Sequence, residues 1–108
     1  MSTSVDTLLQ ALANERRRQV LSVLRTHSSL SLPDLADETV ASERGKSLVD
    51  VPSDVVYNVY MELYHRHVPK LGEADLVRYE QERDLVTVTD LGVDVEDRVY
   101  EQLAAELE

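Results

Sequence analysis

The chain has 108 residues, a length that suits one domain over residues 1–108 and a single hydrophobic core. Its formal net charge is −10, from 21 acidic against 11 basic residues, and it has no cysteine, which excludes disulfides, thiolate metal sites and thiol catalysis. No stretch approaches the roughly 18 apolar residues that cross a bilayer, and the start, Met1 to Leu9, lacks a signal-peptide layout; a soluble, cytoplasmic protein with no membrane partner is expected.

Leu8, Leu9 and Leu12 recur at helical spacing and predict a short first helix over 6–13, capped by Ser4 or Asp6. A second helix is predicted from a cap at Asn14 to about His27, with Val20, Leu21, Val23 and Leu24 as its apolar stripe. At about 100° per residue, Arg16 and Arg17 fall at the flanks of that stripe, where they are expected to pair with carboxylates inside the domain. Arg18 and Arg25 fall on the far side, a solvated face. Residues 28–32 alternate polar and apolar and suggest a one- or two-residue strand. Pro33 suits the first turn of a third helix, over 33–42, whose acidic start (Asp34, Asp37, Glu38) complements the helix dipole.

Residues 43–53, with Gly45 and Pro52, read as the one long loop. Ser53 is the expected cap of a long helix over 53–74. Val56, Val59, Tyr60, Leu63, His67 and Leu71 share its inner face, and Asn58, Met61, Glu62, His65 and Pro69 share the outer one, with Arg66 and Lys70 at its edge. Pro69 has no N–H for the carbonyl of His65, so the helix is expected to kink or loosen there. Asp75 is the expected stop, in a left-handed conformation that Asp tolerates. Val77 and Tyr79 alternate with Arg78 and Glu80, residues 81–84 form a polar turn, and Leu85 to Thr89 return as the second strand of a hairpin.

Thr89 or Asp90 caps a last helix over 90–107. Its Leu91, Val95, Val99, Leu103 and Leu107 recur every fourth residue and drift by about 40° per step. So broad an apolar surface exceeds what a small body needs, and a homodimer contact on this helix is expected. The fold class that follows is mainly α with a small β hairpin (α+β), a core over about 5–89 with the hairpin at 76–89, and a C-terminal helix over 90–108.

Enzyme and metal readings find little support. His65 and His67, two apart on a helix, point about 200° away from each other and cannot share a metal ion. No Gly-rich phosphate loop or nucleophile triad is present; neither a cofactor nor catalysis is expected. His67 reads as a core histidine bonded to a carbonyl or to Tyr60 or Tyr64. His27 ends its helix, where a cation suits the dipole. Tyr60 and Tyr64, at helical spacing, belong to the core or an interface before any stacking role.

The phrase HVPKLGEADLV (67–77), followed by a hairpin and TDLG, resembles the winged helix-turn-helix regulators of the ArsR-like kind. Together with ANERRRQVLSVL (13–24) and the acidic composition, it is similar to a haloarchaeal family of small winged-helix domains of unassigned function, over about Leu8 to Gly92. A carboxylate-rich surface with only Lys46 and Lys70 as lysines fits a halophile; the alternative is an acidic protein of an ordinary cell, in whose salt the charge would oppose a polyanion. The resemblance implies a homodimeric, DNA-binding transcription regulator that sets the 53–74 helix and the 76–89 wing on duplex DNA. Carried over residue by residue, it assigns His65, Arg66, Pro69 and Lys70 to the base-facing side, with Asn58 on the same face, and Arg78 and Arg83 to the wing. The pattern departs from the family in two ways: Glu62, Glu73, Glu80, Glu82 and Asp84 sit among these cations, and residues 43–53 exceed the usual turn of three or four residues. The alternative is a winged-helix module for protein–protein contact without DNA binding. The resemblance does not specify an effector ligand.

Overall fold

The computed structural model describes residues 4–45 and 50–107, apart from the side chains at 99–100, 102–104 and 106–107. Six helices and a three-stranded antiparallel sheet follow in the order α1 (Val5–Leu12), α2 (Glu15–His27), β1 (Ser29–Leu30), α3 (Leu32–Arg44), α4 (Ser53–Glu62), α5 (Val68–Glu73), β2 (Val77–Glu80), β3 (Leu85–Val88) and α6 (Asp90–Leu107). A π-helical segment, Leu63–His67, joins α4 to α5, and a 3-10 turn, Gln81–Arg83, joins the hairpin strands. The fold is therefore mostly helical with a small sheet, as expected. Among the described residues no helix is long and apolar enough to cross a membrane.

Local chemistry sets most boundaries. Ser4 Oγ accepts from the Thr7 N–H, Asn14 Oδ1 from Arg17 and Ser31 Oγ from Asp34, so α1, α2 and α3 each start on a side-chain cap. The third helix runs two residues beyond the expected end at Ser42, because Gly45 (φ 64°) supplies the left-handed stop only there. Ser53, expected as a cap, is the first helical residue behind Pro52, and α4 begins without a side-chain cap. Residues 46–49, inside the expected loop, lie outside the described residues.

The core is built around α2, whose Val20, Leu21 and Leu24 are fully buried against Leu32, Leu35 and Val40 of α3 and Leu63 and Leu71 of the long helix. The sheet order is β1-β3-β2. Ser29 lies opposite Thr87 and Thr87 opposite Arg78, which makes one polar row; Val77, Tyr79, Val86 and Leu30 occupy the other face, toward the core. α6 packs on α2 through Val95 and through Arg25, which pairs with Asp97 and lies 3.1 Å from the buried Glu96. Arg25, expected on a solvated face, is thus a tie between helices. Burial pushes the Glu96 carboxyl up, and Arg25 partly offsets this. Leu91 is 39% exposed; Val99, Leu103 and Leu107, the rest of the expected contact stripe, have side chains outside the described set.

The helix end, the hairpin and α6 meet at Leu76. Its N–H donates to the Leu71 carbonyl and that of Asp75 (φ 59°) to Gly72, which is a Schellman stop with Asp in the left-handed position. The Leu76 carbonyl accepts from the Thr89 N–H, the Thr89 hydroxyl is shared between the carbonyls of Asp75 at 2.7 Å and Leu76 at 3.1 Å, and the same hydroxyl oxygen caps α6 by accepting from Gly92 N–H at 3.0 Å. A Cβ on Gly92 would overlap the Leu76 carbonyl oxygen and stand 2.7 Å from Val88 Cγ2. Gly92→Ala should therefore destabilise the fold by about 1–3 kcal/mol, read from chemical denaturation in high salt. Ser28 ends α2 at φ 69°, ψ −55°, a conformation that side chains resist. Ser28→Gly should raise stability by about 0.5–1 kcal/mol in the same assay, and a loss would show that the seryl side chain supports the turn.

Candidate functional site

The long helix over 53–73 carries the candidate face, and its middle is not α-helical. The Val68 N–H reaches back to the Leu63 carbonyl, the five-residue step of a π turn. Pro69 has no N–H to close the preceding turn, so the expected loosening is present and takes this form. The wider turn brings Val68 beneath Leu63, and both are buried with His67 and Leu71. Sequence reasoning missed the burial of Val68, because an ordinary α-helix would turn that residue off the inner face.

The outer face holds the expected residues. Asn58, His65, Arg66, Pro69 and Lys70 are exposed, and so are Arg78 on β2 and Arg83 in the turn. Tyr64 packs edge-on to the His65 ring at 4.9 Å and accepts a hydrogen bond from Gln81 Nε2 at 3.3 Å, which places the hairpin tip beside the π segment. Asp84 fixes the same tip from the other side: its Oδ1 accepts from the Leu32 N–H at 3.2 Å and from the Tyr79 hydroxyl at 3.3 Å. Helix, hairpin tip and the start of α3 are therefore held as one surface.

The cations on this surface differ in their partners. Lys70 Nζ lies 3.8 Å from Glu73, and Arg83 Nη1 lies 3.3 Å from Glu80. Among the described residues Arg66 and Arg78 form no ion pair. Exposed pairs such as the first two are worth about 0–1 kcal/mol, so a phosphate can compete for either cation. Among the described residues no group of three or more His, Asp or Glu is placed to hold a metal ion.

Behind the face, the arginine run of α2 is consumed by structure. Arg16 forks onto Glu43, with Nε and Nη2 each 3.0 Å from its carboxylate, and reaches Glu62 through Nη1 at 3.0 Å. Arg17 pairs with no carboxylate, contrary to expectation. It donates to the carbonyls of Ala11 and Gln10, and its Nη1 stands 3.3 Å from His67 Nδ1. Arg18, expected to be free, donates to the Leu12 carbonyl at 2.7 Å. The last turn of α1 thus gives the carbonyls of Gln10, Ala11 and Leu12 to arginines of the next helix, Gln10 also accepting from the Ala13 N–H. Sequence spacing gave no hint of this, since the acceptors are backbone atoms of a neighbouring helix.

His67 is buried, as expected, but its neighbours are Arg17 and Glu62 and not a tyrosine. Burial pushes its proton affinity below the ordinary value, Arg17 adds to this, and Glu62, 3.9 Å from Nε2, opposes it. A neutral ring whose Nδ1 accepts from Arg17 and whose Nε2–H faces Glu62 satisfies both neighbours.

The family model described as "Domain of unknown function (DUF7344)" matches residues 9–87, from within α1 to the penultimate residue of β3. The chain belongs to the DUF7344 family. No curated protein and no solved structure matches it. The DUF7344 match includes the arginine run, the π segment and the hairpin, and leaves α6 outside.

The lowered proton affinity of His67 sets a pH dependence. The unfolded chain takes up this proton below about pH 6.5 and the folded chain resists it, so the contribution of His67 is whole above that pH and is lost as pH falls below it. The stability difference between the wild type and His67→Gln should shrink between pH 7.5 and 5; a constant difference would show that the ring is not held neutral.

Proposed function

We propose that this chain is a winged helix-turn-helix protein of ArsR-like form that binds duplex DNA as a homodimer and regulates transcription in a halophilic cytoplasm. The observation that carries the reading is the outer face of the 53–73 helix: His65, Arg66 and Lys70 stand exposed on it, and the hairpin tip is hydrogen-bonded beside it through Tyr64 and Gln81. The element order, with a two-residue β1 completing the sheet of the hairpin, is compatible with that fold. In this reading the helix enters the major groove. Arg66 and Lys70 meet guanine edges or phosphates, with Asn58 and His65 as hydrogen-bonding neighbours. Arg78 and Arg83 meet flanking backbone. Exposed Val5 and Leu9 on α1 and Leu91 on α6 are apolar surface that a second copy would cover.

A second reading, a module for protein contact without DNA, is favoured by one specific observation. Glu62, Glu73 and Glu80 are exposed on the same surface, and two of them hold Lys70 and Arg83. The sequence separation between the end of α3 at Arg44 and the start of α4 at Ser53 also exceeds the three or four residues of the usual turn.

Binding measured by fluorescence anisotropy in molar potassium chloride, against a random duplex library and its selected members, separates the two. Enrichment of a two-fold-symmetric site is expected, and the absence of binding to any duplex by folded protein removes the DNA reading. Arg66→Ala should cost about 1–3 kcal/mol on the selected site. A loss confined to one base position marks a base contact, whereas an equal loss on every duplex marks a phosphate contact. Sedimentation should give the mass of a dimer.

A further inference from the structure

Glu62 and Arg66 stand four residues apart on one helix, with the acid N-terminal to the base, the order in which such residues ordinarily pair. They do not pair. Glu62 is held through Oε2 by Arg16 of α2 at 3.0 Å, with His67 Nε2 3.9 Å from the same oxygen, while the other two nitrogens of that guanidinium are locked onto both oxygens of Glu43 at the end of α3. Arg16, Glu43, Glu62 and Arg66 line one polar groove of about 490 Å³, so Arg66 stands beside a carboxylate that another arginine has claimed. Arg17 stands on the far side of the same neighbourhood, against His67, as a further positive charge that Arg66 feels. Lys70 and Arg83, with no such competitor on their acids, are each paired to the nearest glutamate.

We infer that Arg16 is a positioning residue for the nucleic-acid face: by drawing Glu62 toward Glu43 it leaves the Arg66 guanidinium free for DNA. The inference rests on the DNA reading above and goes beyond it, because it assigns a role in binding to a residue of α2 that lies behind the face. A bidentate fork suits the task. Arg16 reaches two acids on two elements with fixed geometry, which a lysine ammonium does not reproduce. Arg16→Gln releases Glu62, which is then free to pair with Arg66 one turn along, and the cation presented to DNA is lost without any change at the face itself.

The test is a double-variant cycle. Arg16→Gln should weaken binding to the selected duplex about two- to fivefold, the worth of one exposed pair, with the protein still folded by circular dichroism. Adding Glu62→Gln to that variant should restore wild-type affinity, and Glu62→Gln alone should bind as well as the wild type or better. A double variant that stays as weak as Arg16→Gln overturns the inference and marks Arg16 as a direct contact or a purely structural residue. The NMR signal of the Arg66 Nε–H gives a readout without DNA: Arg16→Gln should shift it and slow its solvent exchange, and the double variant should reverse both. An unchanged signal overturns the inference even where DNA still binds. If Arg16→Gln does not fold, Arg16→Lys keeps the charge without the fork, and a smaller shift in the same direction is expected. If the wild type binds duplex and Arg16→Gln binds equally, this inference alone falls; if the wild type binds none, the DNA reading falls with it.

Discussion

One backbone carbonyl, that of Leu76, sets the geometry on which the candidate surface depends. It accepts from both the N–H and the hydroxyl of Thr89, and its own residue closes the end of the long helix onto Leu71. Three elements are thereby fixed at one point: the helix that carries Arg66, the strand that carries Arg78 and the start of α6. The Leu76 side chain is fully buried, so the point cannot slide without exposing apolar surface. Gly92 is the counterpart of this constraint, since only a residue without a Cβ lets α6 approach so closely. The angle between helix and hairpin is thus set by hydrogen bonds of the backbone and by one missing methyl group.

Charge is handled in two different ways in the same small body. Around α2 the arginines are structural: they hold carbonyls of α1 and carboxylates of α3, α4 and α6, at the polar margins of helices whose apolar faces meet in the core. A protein with no Phe, Trp or Ile fills its core with smaller side chains, and bidentate arginines supply cross-links that larger apolar residues supply elsewhere. On the outer surface the pairs are local, three or four residues apart, and weak. The arginines worth the most to folding are therefore the least available to a partner.

Most helix boundaries were legible where the signal was local, the start of α4 at Ser53 being the exception. Asn14 capping α2, Asp75 ending the long helix and Thr89 opening α6 follow from side-chain chemistry within a few residues, and the alternation of Val77 to Glu80 gave the hairpin. The six candidate residues Asn58, His65, Arg66, Lys70, Arg78 and Arg83 were all legible as exposed, since that follows from periodicity alone. What periodicity could not carry was any partner far along the chain. Arg17, Arg18 and Arg25 find theirs on other helices, and the pairing of Arg16 with Glu43 and Glu62 crosses three elements. The π segment was half legible: Pro69 announced a fault, but the choice between a kink and a wider turn depends on what the core will accept, and the core accepts Val68.

The sheet order also bears on how the protein behaves when crowded. β2 lies at the margin of a three-stranded sheet, with backbone groups on one side that no strand among the described residues covers. Such a margin is a template on which a second molecule can add a strand and begin to aggregate. Here it is only four residues long, it carries the charged Arg78 and Glu80, and it ends in a tight turn with further charges. A strand placed against it would bring charged side chains into register and would soon run past the end of the ladder. Arg78 and Glu80 thus guard the sheet against self-association through its margin.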